Sequence, residues 1–100
     1  MLEVTDNMDK VREGDAVVYF TAEWCQPCKQ LKPQYARAGT LDKINKYYIV
    51  DIESIDDSYI DMYNIKSVPQ MFIMNNGQIV QKLESKNSAD ILNEVNNVLV

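Results

Sequence analysis

One hundred residues make one domain, large enough for a single core without extra staples, and 46% apolar with 25% charged residues describes a globular chain rather than a disordered one. A net charge of −5 with no Lys/Arg cluster argues against nucleic-acid binding, which draws most of its affinity from phosphate contacts. No apolar run approaches membrane-spanning length, and Met1 to Lys10 is too polar for a signal core, so the expected compartment is the cytoplasm, where thiols stay reduced.

In chain order, Leu2-Glu3-Val4 reads as a short first strand. Thr5 or Asp6 can cap a helix running to about Glu13, with Met8 and Val11 as its apolar face. Gly14-Asp15 turns into Ala16-Val17-Val18-Tyr19-Phe20, a run of buried-strand length. A helix from about Pro27 carries Leu31, Tyr35 and Ala38 at helical spacing. Pro27 suits a first turn, where its missing N–H has no partner to lose, whereas Pro33 falls inside the pattern and should kink it. Gly39 can end this helix, with a second helical stretch from Leu41 to about Lys46.

Tyr47 to Ile52 is rich in β-branched and aromatic residues and reads as a strand. Asp56 and Asp57 favour the start of a short helix through Tyr63, and Asn64 suits a left-handed helix end. Gln70 to Met74 is a strand, Asn76-Gly77 a two-residue hairpin turn, and Ile79 to Leu83 the antiparallel return. Ser88 can cap a last helix whose Ile91, Leu92, Val95, Val98 and Leu99 share one face. There is no repeat, linker or low-complexity segment, so residues 1–100 form one α/β domain, a sheet with helices on both faces.

The chemistry concentrates in Trp24-Cys25-Gln26-Pro27-Cys28, which holds both cysteines and the only tryptophan. Two thiols separated by two residues at a helix start can close a disulfide. The free N–H groups and positive dipole end there favour a thiolate at the first position. Such a thiolate attacks a disulfide in another molecule, and the second thiol resolves the mixed disulfide. A structural zinc site needs about four ligands, and the chain has no histidine and no third cysteine, which leaves only a metal shared between two chains. A purely structural bridge would close too small a loop to stabilise much. Redox exchange is the expected use, with Cys25 exposed and Cys28 buried.

The segment from Phe20 to Lys29 resembles the active site of thioredoxins. Pro33 matches that family's kink proline, Val68-Pro69 its cis-proline loop, Tyr63-Asn64-Ile65 the approach to that loop, and Asn76-Gly77 its last hairpin. The resemblance covers nearly the whole chain in the right order. It implies a thioredoxin fold with a central mixed sheet, and an enzyme that reduces protein disulfides, with Cys25 as nucleophile and Cys28 as resolving thiol. It further implies substrate contacts along Trp24, Gln26, Pro27, Val68 and Pro69, with Trp24 covering the disulfide on one side. Partners would be disulfide-containing proteins and a thioredoxin reductase or small-thiol donor, acting on a monomer without a bound cofactor.

The chain departs from the family pattern in four places. Gln26 stands where thioredoxins usually have glycine, and Glu84 replaces a glycine of the docking surface. Tyr19 aligns with the family's buried aspartate and Ile49 with the lysine often paired with it. A glutaredoxin-like, glutathione-dependent reductase is the alternative reading, but the expected glutathione-binding residues are not visible after the proline loop. A docking module without activity is the third.

Overall fold

The computed structural model describes residues 1–99. Its strands are β1 (Leu2–Val4), β2 (Asp15–Thr21), β3 (Tyr47–Asp51), β4 (Gln70–Asn75) and β5 (Gln78–Leu83). Its helices are α1 (Met8–Val11), α2 (Gln26–Leu41), α3 (Asp57–Met62) and α4 (Ser88–Val98), with a 3₁₀ turn at Ile52–Ser54. The strands form one five-stranded sheet in the order β1-β3-β2-β4-β5. β3 runs parallel to β1 and β2, while β4 is antiparallel to both β2 and β5.

Successive side chains of a strand point to opposite faces, and this alternation splits the core in two. Val17, Tyr19, Tyr47, Ile49, Met71 and Ile73 face one way and pack with Leu31, Tyr35 and Ala38 of α2 and with Ile91 and Val95 of α4. The alternate set, Ala16, Val18, Phe20, Tyr48, Val50, Phe72 and Met74, packs with Met8 and Val11 of α1, with Ile60 of α3 and with Tyr63 just beyond it. β2 is hydrogen-bonded on both edges and buried from Ala16 to Thr21, which is why it reads as an unbroken apolar run rather than an alternating one.

Apart from the helical stretch expected from Leu41 to about Lys46, the expected elements are present, and their ends differ for local reasons. α1 is a single turn capped by Asn7, whose side chain accepts the Lys10 N–H, rather than by Thr5 or Asp6. Thr5 still belongs to the sheet, its N–H bonding the Ile49 carbonyl at 3.0 Å, and its Oγ1 accepts the Asn7 N–H at 3.0 Å rather than an N–H of the helix. α4 is capped by Asn87 rather than Ser88, whose N–H instead reaches Gln34 Oε1 on α2 at 3.0 Å. β3 stops at Asp51, where the 3₁₀ turn begins, and α3 at Met62, with Tyr63 as its C-cap. Asn64 takes the left-handed conformation at φ 53°, and Asn76 and Gly77 both have positive φ, as the tight hairpin requires.

The larger difference is in α2, which runs through Gly39 to Leu41 without a second helix after it. Pro33 lies inside α2 and does not end it. A Cβ on Gly39 would come within 2.9 Å of Tyr47 Cβ, so the glycine serves close approach of α2 to β3 rather than termination. Residues 42–46 form a turn built on Asp42. Its carboxylate accepts the N–H groups of Ile44 and Asn45, the Asn45 amide and the Tyr47 hydroxyl, each at 3.0 Å. Those bonds occupy N–H groups that a continued helix would need.

Gly39→Ala is therefore expected to destabilise by about 1–3 kcal/mol, as overpacking does, although alanine is the better helix former by ~1 kcal/mol at an open site. Urea denaturation of both proteins checks the sign. Burial raises the Asp42 carboxyl pKa, but the hydrogen bonds it accepts outweigh that and leave it below the ordinary value. Its contribution to stability is thus complete above the unfolded carboxylate range, ~3.9, and is lost as pH falls through the lowered folded value. Asp42→Asn should be less stable at neutral pH, and the gap to the parent should narrow on acidification below about pH 4. Urea midpoints across pH measure that gap.

Candidate active site

β2 delivers the chain to the carboxyl edge of the sheet, where the Cys25 N–H bonds the Ala22 carbonyl at 3.2 Å and turns it into α2. Cys25 is the N-cap of that helix: its Sγ accepts the Cys28 N–H at 3.1 Å, as a serine or aspartate oxygen would at a more ordinary helix start. Gln26 and Pro27 are the first two helical residues, and Cys28 follows on the inner side. The two cysteines are joined as a disulfide with their Cα atoms 5.3 Å apart.

From the other side comes the segment after α3. The Ile65 N–H bonds the Ile60 carbonyl at 2.9 Å, closing the helix end around left-handed Asn64. The chain then crosses Val68-Pro69, whose peptide bond is cis, into β4. The Val68 carbonyl oxygen lies 3.4 Å from Cys25 Sγ. That carbonyl faces the sulfur in the disulfide state, at a distance where it could accept from a Cys25 S–H.

Cys25, Cys28 and Ala22 form a small apolar cluster covered by Ile52 and Val68. This corrects the expectation of an exposed first sulfur. Cys25 is 3% accessible and Cys28 1%, so in the oxidised protein exposure hardly distinguishes them. Their surroundings do: Cys25 Sγ holds the helix N–H, a contact that stabilises negative charge. Trp24, expected to cover the disulfide on one side, is 65% exposed, and the partly buried side chains packed on the cysteine cluster are Ile52 and Val68.

Tyr19 is fully buried under α2, its ring 4.9 Å from that of Tyr35. Its hydroxyl donates to the Cys28 carbonyl at 3.1 Å, so its proton is used on backbone and not on sulfur. Burial pushes its pKa up to about 12, so it is neutral at physiological pH. Ile49 lies in the same apolar cluster and Glu84 is exposed, 4.0 Å from Lys82. Thr21, at the end of β2, carries a buried hydroxyl with no hydrogen-bond partner.

A groove of about 550 Å³ opens beside the disulfide, lined by Pro27, Gln30, Leu31, Pro69 and Lys86. It brings together Pro27 and Pro69 from distant parts of the chain. Gln30 was not singled out by sequence and Leu31 was read only as part of the apolar helix face, although their spacing from Pro27, a turn along the same helix, was a usable signal. Nothing in the sequence marked Lys86 or Ile52. Among the described residues no three His, Cys, Asp or Glu side chains gather as a metal site, and no helix is long and apolar enough to cross a membrane.

A disulfide-linked cysteine pair at a helix start is suited to reversible exchange with other disulfides. The protein is a thiol–disulfide oxidoreductase. The family model described as Thioredoxin matches residues 3–97, and the chain belongs to the thioredoxin family. It is 28% identical to thioredoxin H9 of Arabidopsis thaliana over 96 residues, covering 91% of this chain and 68% of that one. It is 29% identical to an H-type thioredoxin of Populus jackii over 89 residues, covering 88% of this chain and 63% of that one. The chain thus spans about two thirds of the length of these relatives. The fold matches reduced Schistosoma mansoni thioredoxin pre-protein, with a TM-score of 0.77, 21% identity and 98% of each chain covered. Membership makes this enzyme a protein-disulfide reductase, with disulfide-bearing proteins as its general substrates and a reductase as its general partner.

Proposed function

We propose that this protein reduces disulfides in other proteins by a Cys25/Cys28 cycle, as a cytoplasmic monomer. The observation that supports the division of roles is the Cys28 N–H held 3.1 Å from Cys25 Sγ at the N-cap of α2. In the reduced protein this contact favours the thiolate at Cys25. The thiolate attacks one sulfur of the substrate disulfide, forming a Cys25–substrate bond and releasing the other substrate sulfur as a thiolate that takes a proton. Cys28 then loses its proton and attacks Cys25 Sγ. The internal disulfide closes, the second substrate thiol departs, and two electrons and two protons have passed to the substrate. A thioredoxin reductase or a small-thiol donor returns the electrons, and no bound cofactor takes part.

Trp24, Gln26, Pro27, Val68 and Pro69 form the substrate platform in this reading. The exposed indole and the groove between Pro27 and Pro69 support it, since both offer apolar area next to the sulfurs. Cys28→Ser should accumulate stable mixed disulfides through Cys25, and Cys25→Ser should accumulate none, as read by non-reducing electrophoresis after mixing with an oxidised protein substrate. Insulin reduction should proceed with a thioredoxin reductase and NADPH as donor. Activity with glutathione alone would favour the glutaredoxin-like reading, and activity with neither donor a docking role.

Tyr19 sets the pH dependence of the second step. A buried carboxylate under the helix would accept the Cys28 proton near neutral pH. Tyr19, with its pKa up near 12 and its proton on the Cys28 carbonyl, does not. Resolution should then rise with pH above neutrality, as Cys28 deprotonates through water. Tyr19→Asp should be less stable, because it puts an unpaired acid among apolar side chains, yet resolve faster near pH 7. Stopped-flow release of product from the mixed disulfide checks both. A parent rate flat with pH, or a folded Tyr19→Asp slower throughout, would rule this out.

A further inference from the structure

The groove beside the disulfide has one charged lining residue. Pro27, Leu31 and Pro69 make it apolar, Gln30 adds an amide, and Lys86 supplies the cation. The backbone on both sides of Lys86 is held. Ser85 Oγ donates to Glu94 of α4, the Asn87 side chain accepts the Asp90 N–H at 3.0 Å, and the Ser88 N–H reaches Gln34 of α2 at 3.0 Å. The loop carrying Lys86 is thereby tied to both helices that flank this face of the sheet.

Among the described residues, the ion pairs are Lys10 with Glu3 and Lys82 with Glu84, and Lys86 belongs to neither. Glu84, two positions away on the same loop, lies 4.0 Å from Lys82. The chain as a whole carries −5, whereas the one charged residue on the wall of this groove is a cation that forms no ion pair within 4.0 Å. Charge complementarity at an interface selects partners and speeds encounter more than it adds raw affinity.

We infer that the groove receives an extended substrate segment flanking the disulfide to be reduced, and that Lys86 selects segments carrying Asp or Glu at that place. The inference rests on the reading of Cys25 as the attacking sulfur. The residue next to the substrate cysteine packs on Pro27, Leu31 and Pro69, Gln30 pairs with the segment's backbone, and Lys86 meets the acidic side chain. An exposed pair of this kind is a modest discriminator. Measured exposed pairs correspond to about a 1.4- to 5-fold difference.

The test uses disulfide peptides identical except for Glu, Gln or Lys at one position close to the attacked cysteine. kcat/KM is measured with the full chain at low and at physiological ionic strength. Within each variant the rate is expressed relative to the Gln peptide, so a general loss of activity cancels. The parent should favour the Glu peptide by about two- to fivefold and disfavour the Lys peptide, with both ratios shrinking as salt rises. Lys86→Arg should keep the preference, Lys86→Gln should abolish it and Lys86→Glu should reverse it. A parent that reduces the Gln peptide but shows no charge preference at low salt overturns the role of Lys86 and leaves the reductase intact. So does a preference that Lys86→Glu leaves unchanged. A parent that reduces none of the peptides overturns the reductase reading and this inference with it.

Discussion

Everything at the site depends on where β2 ends. The strand is paired to β3 on one edge and β4 on the other, and both its faces are covered by helices. A strand held on four sides has no freedom to slip, because a one-residue shift would send its whole apolar set to the wrong face. Its last residue, Thr21, is therefore fixed in register opposite Asp51 of β3. The turn at Ala22 and the start of α2 inherit that position, and the sulfurs inherit it from α2. The Val68-Pro69 loop is fixed from the same strand, because Phe20 pairs with Gln70, the residue right after the proline. Both halves of the site are thus referenced to neighbouring positions on one central strand.

The core under α2 is aromatic and carries no charged side chain in its cluster. Tyr19, Tyr35 and Tyr47 lie in one cluster, with ring centroids 4.9 Å apart for the first pair and 5.6 Å for the second. Each hydroxyl finds a partner, so none is an orphan in the core. Tyr19 donates to the Cys28 carbonyl, Tyr35 to the Tyr48 carbonyl at 2.8 Å with the Val17 carbonyl also in reach at 3.1 Å, and Tyr47 to the Asp42 carboxylate. Burial raises the pKa of all three, so this layer stays uncharged at any physiological pH. A neutral, hydrogen-bonded layer of this kind packs well and supplies no base, which separates the stability of the active-site helix from the proton chemistry above it.

The two sulfurs differ by hydrogen bonding more than by access. In the disulfide form both are covered, and the cover consists of side chains from the 3₁₀ turn and the proline loop, Ile52 and Val68. At the N-cap of α2, Cys25 Sγ accepts the Cys28 N–H, one of the first helical N–H groups that lack a carbonyl of their own, and this contact supports the proposed thiolate at Cys25. The Val68 carbonyl beside it has the opposite sense, accepting a proton from a thiol and repelling a thiolate. In the proposed cycle the balance of those two contacts on a single sulfur would set how readily the attacking thiolate forms.

The order of elements, the amphipathic faces, the hairpin at Asn76-Gly77 and the redox pair were legible in the sequence because each rests on local periodicity or on residues with restricted backbone preferences. The resemblance on Phe20 to Lys29 and Val68-Pro69 added the roles. Gly39 was misread because a glycine needed for close approach looks the same in sequence as one that ends a helix. Only the position of Tyr47 across the layer distinguishes them. The burial of Cys25, the exposure of Trp24, the use of the Tyr19 proton on backbone and the arrival of Lys86 at the groove were likewise decided by tertiary structure. Lys86 lies 58 residues after Cys28 in the chain and meets that end of α2 only because β5 and α4 close the same face of the sheet. Contacts of that kind depend on distances between elements, and no pattern along a single element encodes them.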